Sequence, residues 1–176
     1  MLAAPPSRLR LALYQPDIPQ NAGTLLRACA CLGVSAAIIE PAGFPVSDRH
    51  FRRSGMDYLD ALQIDRHASF AAFEAWRRKA RAQGGGHRLI LLTTSADIDY
   101  AQFQFAPDDI MMTGRESAGV PTEVHTAADM RVGILMRPDM RSLNVAIAAA
   151  MIMGEALRQT RQEPPPALAA ALLETG

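Results

Sequence analysis

Two cysteines, a single lysine and no apolar run long enough to cross a bilayer set the first limits on this 176-residue chain. Cys29 and Cys31 sit two apart on a predicted helix and face different directions, so neither a disulfide nor a thiolate metal site follows. His50, His67, His87 and His125 are scattered without ligand spacing, and no bound metal is expected. The least charged stretch lies between Arg141 and Glu155 and spans about a dozen residues, against the ~18 or more of a membrane helix. It reads as a buried helix, and no membrane association is expected. Residues 1–6 lack both a charged start and a long apolar core, so no secretory signal is expected there. Glycine is missing where a dinucleotide site needs it. A Gly-x-Gly-x-x-Gly should follow the first strand, and 15–23 holds one glycine.

Net charge is also absent, since 18 basic and 18 acidic residues cancel. That argues against coating nucleic acid by bulk electrostatics, but distribution matters more than the sum. The positive charge is arginine apart from Lys79, and it clusters at Arg49-His50-Phe51-Arg52-Arg53 and Arg77-Arg78-Lys79-Ala80-Arg81. Guanidinium forks grip phosphate oxygens at two points. The second cluster lies on an amphipathic helix with Phe70, Phe73 and Trp76, and is either a solvated face or an RNA contact. The first follows a loop rich in turn residues, 41–48, and is expected to contact RNA.

Apolar runs alternate with helical patterns, as in an α/β protein with an open, mostly parallel sheet flanked by helices. Strands are expected at 9–14, 36–39, 61–64, 89–93, 110–113 and 132–136. Helices are expected at 21–32 (closed by Gly33), 49–54, 69–83 (capped by Ser69), 121–128 and 143–162. Between 95 and 108 a loop is expected. A chain of this length suggests one domain, 1–162, followed by a Pro/Ala-rich tail, 163–176.

Three polar clusters lie where a predicted strand gives way to a helix, the place where open parallel sheets build sites. In Asn21-Ala22-Gly23-Thr24-Leu25-Leu26-Arg27, Asn21 is expected to cap the helix and Arg27 to project beside Thr24. In Gly114-Arg115-Glu116-Ser117-Ala118-Gly119-Val120-Pro121 the glycines permit a tight turn and close approach of a ligand. No Gly-Lys-Ser/Thr follows, and a carboxylate in the turn repels a triphosphate, so a neutral or cationic ligand fits better. The third cluster, Arg141-Ser142-Leu143-Asn144, precedes the apolar helix, with Ser142 as the expected cap.

Taken together and in this order, the clusters resemble the three motifs of the SPOUT RNA 2′-O-methyltransferases, from about residue 9 to residue 161. The opening 13–23 and Ile39-Glu40-Pro41-Ala42-Gly43-Phe44 look like the TrmL-like branch, which methylates the ribose at the wobble position of certain leucine tRNAs. The resemblance implies a deep C-terminal trefoil knot, a homodimer with the 143–154 and 21–32 helices in its interface, a cytoplasmic location and tRNA as partner. It implies an S-adenosylmethionine pocket made of Leu92, Thr93 and Thr94, then Gly114, Glu116 and Gly119, then Ile134, Leu135 and Met136, then Ser142, Leu143 and Asn144. The residues it implies for catalysis are Arg27, Asn21, Glu116, Ser142 and Asn144, and those for RNA binding are Arg27, Arg49, Arg52 and Arg53. Relatives are proposed to use the arginine as general base. A guanidinium stays protonated, so a cation that binds the target phosphate and lowers the pKa of the 2′-hydroxyl fits better. Arg115, Leu135 and Gly154 depart from the pattern. The alternatives are another tRNA or rRNA target, or a non-catalytic RNA-binding factor with this fold.

Overall fold

The computed structural model describes residues 7–45 and 62–160. Its strands are β1 (Arg10–Tyr14), β2 (Ser35–Ile39), β3 (Ile64–His67), β4 (Leu89–Leu92), β5 (Ile98–Asp99), β6 (Ile110–Thr113) and β7 (Met130–Gly133). Its helices are α1 (Pro19–Leu32), α2 (Phe70–Ala82), α3 (Thr122–Ala127) and α4 (Val145–Thr160). The strands form one sheet in the order β3-β2-β1-β6-β4-β7-β5, and every neighbouring pair is parallel.

The sheet is apolar on both faces, which is why its central strands read as continuous hydrophobic runs. Leu11 and Leu13, Ile38, Ile90 and Met111 pack under α1 and α4, whereas Ala12 and Tyr14, Leu89 and Leu91, and Ile110 and Met112 pack toward α2 and α3. Helix ends follow local rules where a tertiary contact does not override them. Ser69 caps α2 by accepting from the Ala72 amide at 3.1 Å, and Gly33 ends α1 in the left-handed region at φ 69°.

Several expected boundaries move. The third strand lies at 64–67 rather than 61–64, because register with β2 pairs Ala36 with Ile64 and Ile39 with His67. This is an edge strand, and its Asp65 and Arg66 are held by ion pairs with Arg10 and Glu40, so hydrophobic pattern could not locate it. The expected loop 95–108 contains β5, two residues long and paired with β7. β7 itself ends at Gly133 rather than 136. The helix expected at 49–54, Arg49, Arg52 and Arg53 with it, and the tail 163–176 lie outside the described residues.

Neither reading of the 77–81 cluster covers Arg77. Its side chain is only 5 % exposed and reaches the Glu74 carboxylate at 2.7 and 3.0 Å, Asp129 at 2.7 Å and the carbonyls of His87 and Ala127. Burial opposes its charge, but the Glu74 hydrogen bonds and the charges of Glu74 and Asp129 outweigh it and raise the guanidinium's pKa. Arg77 therefore ties α2 to the ends of β4 and β7, while the neighbouring Arg78 is exposed. Removing one partner of a buried ion pair leaves the others uncompensated. Arg77→Ala is expected to cost about 3–5 kcal/mol in urea unfolding, and Arg78→Ala less than about 0.5 kcal/mol.

Candidate active site at the ends of three parallel strands

β6, β4 and β7 are adjacent and parallel, so the loops that leave their C-terminal ends converge. They enclose a cavity of about 560 Å³, within the range of small-molecule sites. Leu92, Thr93 and Thr94 line it from the end of β4, and Gly114, Glu116 and Gly119 from the loop after β6. Ile134, Met136, Ser142, Leu143 and Asn144 line it from the segment that follows β7. Of the expected pocket residues, Leu135 does not line the cavity. Leu135 is 85 % exposed and its amide donates to Asp99 at 3.3 Å, whereas its neighbours Ile134 and Met136 line the cavity.

The three polar clusters are joined by direct hydrogen bonds. Glu116 accepts from the Asp17 amide at 3.2 Å and from the Asn21 side-chain amide at 3.1 Å. The Asn21 carbonyl oxygen accepts from the Asn144 side-chain amide at 3.1 Å. Asn144 in turn accepts from the amides of Ala146 and Ile147 at 2.9 and 3.3 Å. Two capping expectations are corrected by these contacts. Asn21 does not cap α1, whose N-cap is Ile18 with no side-chain bond, because it lies inside the helix and its side chain is committed to Glu116 and Asn144. Asn144 rather than Ser142 caps the last helix, which starts at Val145. Arg27 lies on the exposed side of α1 and is not part of the cavity wall.

Asp17 was missed, since a lone aspartate in a Pro-bounded loop carries no signal of its own. Its carboxylate accepts from the amide of Glu116 at 3.1 Å and from the Ser117 hydroxyl, so that the 15–18 and 114–121 loops are bonded in both directions. Hydrogen bonding to Glu116 and then to Ser117 holds its pKa down to about 2, against the opposing effect of desolvation. Gly133 was missed as well. A Cβ there would meet the Thr93 oxygen and the Ala96 Cβ at 2.7 Å, so only glycine lets the chain leave β7 against the 93–97 loop. Gly114 serves the tight turn that was expected of it. A Cβ would meet the Gly119 carbonyl carbon at 2.9 Å, which places the close approach inside the loop itself, where Arg115 and Gly119 pair through their backbones.

The SpoU rRNA Methylase family matches residues 8–154. The chain belongs to the SpoU family. It is therefore an enzyme, a methyltransferase, and the resemblance read from its three motifs is borne out. It is 68 % identical over 149 residues to the tRNA (cytidine(34)-2′-O)-methyltransferase of Beijerinckia indica, covering 85 % of this chain and 90 % of that protein. It is 36 % identical over 154 residues to the protein of the same name in Escherichia coli K12, covering 86 % and 93 %. A solved structure described as bearing on 2-OH methylation of C/U34 on tRNA superposes with a TM-score of 0.79 at 35 % identity, over 88 % of this chain and 97 % of that one. The SpoU methyltransferase AviRb of Streptomyces viridochromogenes, solved with AdoMet, superposes with a TM-score of 0.80 at 29 % identity, over 90 % of this chain and 62 % of that one.

A depressed carboxyl pKa stabilises the fold above the ordinary aspartate value and loses that contribution as pH falls toward the native one. The stability difference between this SpoU protein and its Asp17→Asn variant is therefore expected to stay constant from neutral pH to about pH 4 and to shrink toward pH 2. Urea midpoints measured across that window check it, and a difference that grew on acidification would reverse the assignment.

Proposed function

We propose that this protein transfers the methyl group of S-adenosylmethionine to the ribose 2′-hydroxyl of the wobble nucleotide, cytidine or modified uridine, in leucine tRNAs. The observation that carries the reading is the hydrogen-bonded chain Asp17–Glu116–Asn21–Asn144 at the rim of a cavity built from three strand ends. The walls suit this donor. Leu91, Leu92, Val120, Ile134, Met136 and Ile152 offer apolar faces for adenine, and the carboxylate of Glu116 is compatible with a sulfonium and hostile to a triphosphate. Residues Leu92, Thr93, Thr94, Gly114, Gly119, Ile134, Met136, Ser142, Leu143 and Asn144 would hold it, and Leu135 is left out of that set. Bound there, it supplies an electrophilic methyl group.

The protein's own task is to align the ribose oxygen and favour its partial alkoxide character. Arg27 is the residue for this, as a fixed cation beside the target phosphate. Asn21, Glu116, Ser142 and Asn144 shape the pocket around it. The cavity of one chain does not include Arg27, which supports an assembly in which a second copy of the chain completes the site. Ile18, Leu143, Ile147 and Met151 are each at least 41 % exposed and lie on or beside the paired helices α1 and α4, which supports a homodimer through this face. A deep trefoil knot is supported by the passage of Gly133 against the 93–97 loop, whose ends bond to both sides of β7 through Thr93 to Val132 and Asp97 to Arg131. Among the described residues no helix is long and apolar enough to cross a membrane. A tRNA substrate supports a cytoplasmic location. Arg49, Arg52 and Arg53 are proposed as further RNA contacts.

Mapping 2′-O-methyl groups in tRNA from a deletion strain tests the substrate. Loss at position 34 of leucine tRNAs is expected, and loss elsewhere instead would move the target while keeping the chemistry. No methyl transfer to any RNA would leave a non-catalytic RNA-binding factor. Arg27→Ala is expected to lower single-turnover transfer at saturating tRNA on the order of 10²-fold or more, with cofactor affinity unchanged. A wild-type rate would make Arg27 a binding residue only. Light scattering at micromolar concentration should give a dimer for the native chain and a monomer for Ile147→Glu/Met151→Glu.

A further inference from the structure

Arg115 stands in the loop whose neighbour, Glu116, joins the clusters, and its guanidinium is used differently from the other internal arginines. Arg77, Arg88 and Arg131 each make short hydrogen bonds to a carboxylate. Arg115 lies 3.7 Å from Asp17, beyond hydrogen-bond reach, and its Nε is buried with no partner. Asp17 is already engaged within the loop pair, its two oxygens accepting from the Glu116 amide and the Ser117 hydroxyl. The carboxylate thus orients the guanidinium without saturating it. The side chain is 39 % exposed and borders the cavity. A guanidinium with five donors and one loose ion pair is a half-filled site for an oxyanion.

Position decides which oxyanion. The apolar part of the cavity lies between the ends of β4, β6 and β7. Arg115 instead neighbours Asp17 and acts electrostatically on Tyr14, and both belong to the end of β1, on the other side of β6 from β4. That flank also carries Asn21 at the start of the helix that bears Arg27. With the methyl donor proposed to lie between β4, β6 and β7, the β1 flank with Arg115 is the side left for the RNA backbone that presents the ribose. We propose that Arg115 binds a phosphate of the RNA substrate next to the reacting ribose, oriented for it by Asp17. This rests on the reading of the protein as a tRNA methyltransferase.

Steady-state methyl transfer to tRNA from the deletion strain, filter binding of the same tRNA across a salt series, and calorimetry with S-adenosylmethionine test the assignment together. Arg115→Met is expected to raise KM for tRNA about tenfold, with kcat little changed, and to lower the salt slope of binding by about one. Cofactor affinity should be unaltered. Arg115→Lys should keep the slope and recover part of the KM, because a point charge replaces the fork. Should Arg115→Met fail to fold, Arg115→Gln carries the same expectation. Unchanged KM and slope in a folded, uncharged variant would overturn the proposal. So would lost cofactor affinity with intact tRNA binding, which would assign Arg115 to the donor's carboxylate. A wild-type protein that methylates no tRNA would defeat the functional reading instead, and the salt slope would still report on the Arg115 contact.

Discussion

The carboxylate of Glu116 is the joint on which the site depends. One oxygen takes the amide of Asp17 and the other takes the side chain of Asn21, so a single residue bonds the loop after β1, the first turn of α1 and the loop after β6. Asn21 passes the connection to Asn144, which in turn holds the first amides of α4. Hydrogen bonds to a charged acceptor are worth roughly twice neutral ones, and here each also satisfies a group that the fold would otherwise strand near a cavity wall. Removing the carboxylate would leave the loops after β1 and β6 joined through Asp17 alone and would detach the first turn of α1 from the loop after β6.

Rigidity for this joint comes from the sheet. β6 is inserted between β1 and β4, strands far apart in sequence, so the loops of the first and second clusters leave adjacent strand ends. Because the strands are buried on both faces, their ends are fixed to within side-chain packing tolerance, and the loops inherit that precision. The third cluster arrives differently. The chain leaves β7 at Gly133 against the 93–97 loop and crosses the cavity before α4 begins. Its placement depends on one residue without a side chain, where any Cβ would push the crossing segment away from the strand it has just left.

The balance of charge takes on a different meaning once the pairs are visible. Arg10, Arg66, Arg77, Arg81, Arg88, Arg131 and Arg158 are all matched to carboxylates within the chain. These pairs run from the buried Arg77 and Arg88 clusters to exposed ones such as Arg66 and Arg158 at the surface. Asp109 is the deepest of these acids, fully buried, and its hydrogen bond to Arg88 raises the arginine's pKa. Arg115 differs in being oriented by its acid and left with donors to spare.

The sequence by itself determined the class of fold, because runs such as 110–113 and 89–92 are apolar on both faces and only a covered parallel sheet accommodates them. It also brought out Asn21, Glu116, Ser142 and Asn144 as polar residues at strand-to-helix junctions, and the structure gathers all four around one cavity. Local rules located the Ser69 and Gly33 helix ends, which involve only neighbouring amides. What the tertiary structure decided is everything that depends on a distant partner. β3 and β5 exist because adjacent strands supply their hydrogen bonds, not because of their own pattern. Asn21 was expected to cap its helix and instead bonds across 95 residues to Glu116 and across 123 to Asn144. The contacts of Asp17 and Gly133 exist only because another loop comes to rest on them, and Arg77 turned from a candidate surface charge into a buried clamp. Pattern and propensity act over a few residues, whereas a site is assembled by contacts whose partners the linear order does not name.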